Sequence, residues 1–122
     1  MDPKAVGKSI SAGRLLFGVA MMAAPKLVMA KWVGEAESER PAMDMLTRSF
    51  GAREILLGFI GLHVAERDGV NKRTWQSMAF LDATDLTVTL LRRQALPPEA
   101  VPIMVGVAGG AVAAQLWAAS EL

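Results

Sequence analysis

The sequence predicts an all-α protein, a four-transmembrane-helix bundle built as a single domain over residues 1–122. Three observations carry that expectation. Four apolar segments of about 17–22 residues, each long enough at 1.5 Å per residue to cross roughly 30 Å of hydrocarbon, alternate with short polar stretches. No stretch shows the apolar-polar alternation of a half-buried strand. The three tryptophans, Trp32, Trp75 and Trp117, fall at segment ends, where an amphipathic ring prefers the headgroup layer.

The first segment, residues 9–30, carries only Arg14 and Lys26 as charges. Its basic start fits a secretory leader, but the apolar run continues past Pro25 and no small-x-small cleavage pattern follows, so it reads as a retained helix. The second, residues 46–64, carries Arg48, Arg53 and Glu54, and the third, residues 75–91, carries Asp82 and Asp85. Charges at mid-span are costly unless partnered, so these two are either spans with internal pairs or core helices of a soluble bundle. The fourth, residues 100–119, has no charge and is the clearest span. The separators, residues 31–41, 66–73 and 92–98, read as loops, with Pro41, Gly69 and the Pro97-Pro98 pair as breakers. The tryptophans form an aromatic belt on the membrane reading and cap a core on the soluble one. Five loop and tail cations, Lys4, Lys8, Arg67, Lys72 and Arg73, face four, Lys31, Arg40, Arg92 and Arg93, which favours both termini on the cytoplasmic side of the plasma membrane.

Composition excludes several function classes. The 122 residues hold 13 basic and 12 acidic side chains, a net charge of +1, too balanced for the positive field of a nucleic-acid binder. Without cysteine there is no disulfide or thiolate metal site, and the lone His63 cannot build a histidine-rich one, so no metal or cofactor is expected. His63 has no nucleophile or substrate pocket in view and reads as an interfacial polar residue. The eight methionines suit irregular packing against lipid or a partner. No phosphate-binding loop, nucleophile elbow or zinc-protease motif is present, and no enzyme is expected.

The charges inside the apolar segments are the informative feature. At 100° per residue, Ser11, Arg14, Gly18, Met21 and Pro25 share one small, polar face of the first helix. Gly51, Glu54, Gly58 and Gly61 share an arc of the second, with Arg48 at its edge and Arg53 about 100° from Glu54. Met78, Asp82, Asp85 and Thr89 line one side of the third, with the aspartates as i,i+3 neighbours. Arg14, Arg53, Glu54, Asp82 and Asp85 therefore form a candidate intramembrane polar network, since arginine stays charged and must pair or snorkel. The network reads as interhelical glue, or as an ion relay or headgroup pocket. On the fourth helix, Gly106 and Gly110, extended by Ala114, make a small-residue seam, which either seats that helix in its own bundle or docks another subunit.

Two stretches carry a resemblance. Gly13-Arg-Leu-Leu-Phe-Gly18 followed by Ala24-Pro-Lys26, and Thr47-Arg-Ser-Phe-Gly-Ala-Arg-Glu-Ile-Leu-Leu-Gly58 followed by Asp82-Ala-Thr-Asp85, resemble the small actinobacterial four-helix membrane proteins grouped as a domain of unknown function. A looser similarity is to LucB-type accessory subunits of mycobacterial Mce lipid importers. The resemblance implies a four-helix membrane fold and no established reaction. The function expected is an accessory or stabilising subunit of a larger membrane complex, such as a lipid transporter, with membrane lipid and other integral subunits such as a permease as partners. The competing expectation is a stand-alone small transporter or lipid-binding protein that uses the Arg/acid network.

Overall fold

The computed structural model describes residues 2–66 and 72–121, and every regular element among them is helical. Helix α1 (Pro3–Ala23) starts on Asp2, whose carboxylate accepts from the Lys4 amide, with Pro3 in the first turn where a missing N–H costs nothing. It stops at Ala24, whose φ of −142° and ψ of 65° are non-helical, because the following Pro25 disfavours α geometry in the residue before it. Helix α2 (Pro25–Val33) leaves at 103° to α1. The expected single segment over 9–30 is thus two helices.

Beyond α2 the chain turns at Gly34, whose φ of 93° suits glycine, and forms the single turn α3 (Glu35–Ser38). The expected loop over 31–41 is therefore largely helical. Helix α4 (Pro41–Glu66) begins five residues before the apolar segment it contains, and α5 (Lys72–Leu91) encloses the third segment. A short 3-10 turn, Arg93–Ala95, interrupts the next connection. Most of the expected 66–73 loop, with Arg67 and Gly69, lies outside the described residues. Helix α6 (Ala100–Ser120) is continuous but contains a π-helical turn over Val105–Gly109.

The long helices form two antiparallel pairs. In the first, α1 lies along α4 at backbone distance: a methyl group on Gly18 would fall 2.6 Å from the Gly51 carbonyl oxygen, and one on Gly58 would fall 2.8 Å from the Ser11 carbonyl oxygen. Only glycine permits so close an approach. The second pair is α5 with α6, and the pairs meet mainly where α1 crosses α6, while α4 and α5 scarcely touch. One end is closed by Trp75, fully buried with Ala65, Met78 and Ala119, and its ring occupies the space that Gly7 leaves open.

That placement corrects the expected aromatic belt. Trp75 is a core residue, and Trp32 is half-buried, donating its Nε1–H to Thr89 Oγ1 at 2.9 Å; Trp117 alone of the three is an exposed ring. Elsewhere the interior mixes small apolar residues with polar ones, and large apolar side chains lie on the surface. The buried side chains include Ser11, Arg14, Thr47, Glu54, Asp82, Thr89 and Gln115, whereas Leu16, Leu27, Phe80 and Leu91 are each more than 70% exposed. Among the described residues one unbroken helix, α6, is long and apolar enough to cross a membrane, and α1 with α2 is so only as a bent pair.

Candidate functional site

At the centre of the bundle the four long helices each contribute one polar side chain. Arg14 on α1 is 7% exposed and donates through Nη1 to Glu54 Oε2 of α4 at 2.8 Å. Its Nη2 donates to Asp82 Oδ2 of α5 at 2.6 Å, to Gln115 Oε1 of α6 at 3.2 Å and to the Met78 carbonyl at 3.4 Å. Gln115 completes the ring: its Nε2 donates to the same Asp82 oxygen at 2.6 Å and to the Ala111 carbonyl at 3.0 Å. Two carboxylates and an amide partner both terminal nitrogens of the guanidinium, as buried charges require, while its buried Nε has no hydrogen-bond partner among the described residues.

Of the five charges singled out in the sequence, Arg14, Glu54 and Asp82 are in direct contact. Arg53 sits at the margin, with its side chain 40% exposed, its Nη2 3.4 Å from Glu54 Oε1 and its guanidinium 4.1 Å from the centre of the Phe50 ring. Asp85, one turn beyond Asp82, is half-buried, and no hydrogen bond from a described residue reaches its carboxylate. Gln115 was not singled out. Its signal is that it is the one side-chain amide in the uncharged run 100–119.

The network is the floor of a cleft of about 480 Å³ between the two helix pairs, a volume typical of small-molecule sites. Arg14, Glu54, Asp82 and Asp85 supply its polar part, and Phe17, Trp32, Phe50, Met104, Val107 and Ala111 its apolar walls. An adjoining cavity of about 250 Å³ shares Phe17, Trp32, Met104 and Val107, is otherwise apolar, and has Lys31 at its rim. The π-helical turn of α6 borders both, through Val107 and Ala108. Such turns occur often at functional sites.

No protein family, curated protein or solved structure matches this chain. Among the described residues no group of three or more His, Asp or Glu side chains is arranged to hold a metal ion.

The expected seam on α6 divides. Gly106 and Gly110 are exposed, and a methyl group added to either meets nothing within 4 Å, so neither glycine seats α6 in its own bundle. The face that α6 buries instead holds Ala108, Gln115, Ala118 and Ala119. Gly110 and the half-buried Ala114 border the cleft, whereas Gly106 lies outside its lining.

Proposed function

We propose that this chain is a multi-pass protein of the plasma membrane that binds an amphiphilic molecule in the cleft above Arg14. The observation that carries this reading is that the buried polar network is open to a cavity with aromatic and aliphatic walls, an arrangement that matches a molecule with one polar and one apolar end. A network serving only as glue needs no such opening. The exposed apolar surface supports the membrane part: large aliphatic side chains face outward where lipid tails solvate them at no cost, and Arg14, Glu54 and Asp82 are buried against one another.

Two experiments test it. Four spans require the protein to stay in the pellet after alkaline carbonate washing and reporters at both termini to read the same side; release without detergent would end the membrane reading. Protein purified in mild detergent should carry about one amphiphile per chain by native mass spectrometry, and Gly110→Leu, which adds bulk to the cleft lining at a position where a Cβ meets no neighbour, should remove it. Wild-type protein that is empty, or a variant equally loaded, overturns the binding reading.

A second reading, an accessory subunit of a lipid-transport complex, is favoured by the outer face of α6. The membrane-length window of that helix is only 17% buried, and Gly106 is bare. Small residues on an uncovered helix allow close approach of another helix. Here Gly106→Leu, not Gly110→Leu, should abolish co-purification of a permease.

A further inference from the structure

The charges around the cleft do not balance. Glu54, Asp82 and Asp85 border it, and the cations that act on them are Arg14, within the network, and Arg53 at its margin. Three carboxylates against two guanidinium groups leave one negative charge over. Hydrogen bonding locates the excess. Arg14 and Gln115 both donate to Oδ2 of Asp82, and Arg14 with Arg53 engages both oxygens of Glu54, whereas Asp85 receives no hydrogen bond from a described residue. A carboxylate without donors beside an apolar cavity is costly, and a cation entering the cleft relieves that cost.

We propose that the cleft selects hydrophobic cations, meaning an ammonium or phosphonium centre carrying apolar groups, with the charge held at Asp85. This rests on the amphiphile-binding reading and names its ligand class. Three further features favour an organic cation. No metal-holding cluster exists among the described residues, so a bare ion lacks a coordination shell there. Trp32, fixed by its bond to Thr89, presents an indole to the cleft, and such rings attract cations. The adjoining apolar cavity gives room for the ligand's hydrocarbon, while Lys31, which lines that cavity and not the cleft at Asp85, repels a positive head and so sets the ligand's direction, head toward Asp85 and tail toward α2.

The test uses two ions of nearly equal shape and opposite charge, tetraphenylphosphonium and tetraphenylborate, on the full chain in phosphatidylcholine nanodiscs. Binding is scored as the saturable part removed by Gly110→Leu, with Gly106→Leu as a control outside the cleft. The phosphonium should bind wild-type protein saturably and Asp85→Asn about tenfold more weakly, the effect of losing one charge–charge attraction; the borate should show no saturable part. If both ions bind alike and Asp85→Asn changes neither, cation selection is wrong while the cleft remains a binding site. If neither binds saturably, cation selection is again wrong, and the native mass measurement on Gly110→Leu then decides the amphiphile reading separately.

Discussion

Gln115 donates its side-chain amide to the Asp82 oxygen that also accepts from Arg14, both at 2.6 Å, and so ties α6 to α5 and α1 through one atom. The amide also accepts from Arg14 through its own oxygen. No other residue of α6 reaches the network by a side-chain hydrogen bond among the described residues.

Gln115→Leu is therefore expected to destabilise the bundle by about 1–3 kcal/mol, because it leaves buried donor and acceptor groups short of a partner at nearly unchanged volume. Thermal unfolding in detergent followed by circular dichroism checks this. An unchanged midpoint would mean that α6 is held by apolar packing alone.

Arg14 is the hub, and removing it strands two buried carboxylates. Arg14→Leu should cost about 3–5 kcal/mol and sharply lower the folded yield, while the triple change with Glu54→Gln and Asp82→Asn should recover much of it. Arg53→Ala should be mild by comparison, because that side chain is 40% exposed and its ion pair is long. Fluorescence-detected gel filtration of the three variants ranks them directly; a triple variant no better folded than Arg14→Leu would argue against charge stranding.

Two glycines on α1 should behave oppositely. Gly18→Ala pushes a methyl group against the Gly51 carbonyl and the Ile55 backbone, neither of which can swing aside, and should cost about 1–3 kcal/mol. Gly13→Ala meets nothing within 4 Å and should stabilise by about 1 kcal/mol through helix propensity. Melting temperatures moving in the same direction would contradict the close crossing of α1 and α4.

The bond from Trp32 to Thr89 pins the bent-off α2 to α5. Thr89→Val keeps the shape and removes the acceptor, a loss of about 1 kcal/mol that should speed amide hydrogen exchange in α2 roughly fivefold and leave α4 unaffected. Uniform acceleration would indicate global destabilisation.

The sequence by itself determined the helical class and the phase of each helix, since both follow from local chemistry: apolar composition, breakers, and a 3.6-residue repeat that put Ser11, Arg14, Gly18, Met21 and Pro25 on one face, all five of them buried. The same repeat put Glu54 among glycines and Asp82 on an inward side. Which charges meet was decided only in three dimensions. Arg14 takes the carboxylates because α1 and α4 approach through Gly18, Gly51 and Gly58, whereas Arg53, equally charged, is carried to the margin by its phase on α4. The 103° turn at Pro25 swings Trp32 back over the cleft, and Trp75 closes one end where Gly7 makes room, so the two helix pairs join there and leave a cavity above the network. Contacts between residues 40 to 101 positions apart depend on how whole helices pack, and no local pattern in the chain encodes that sum.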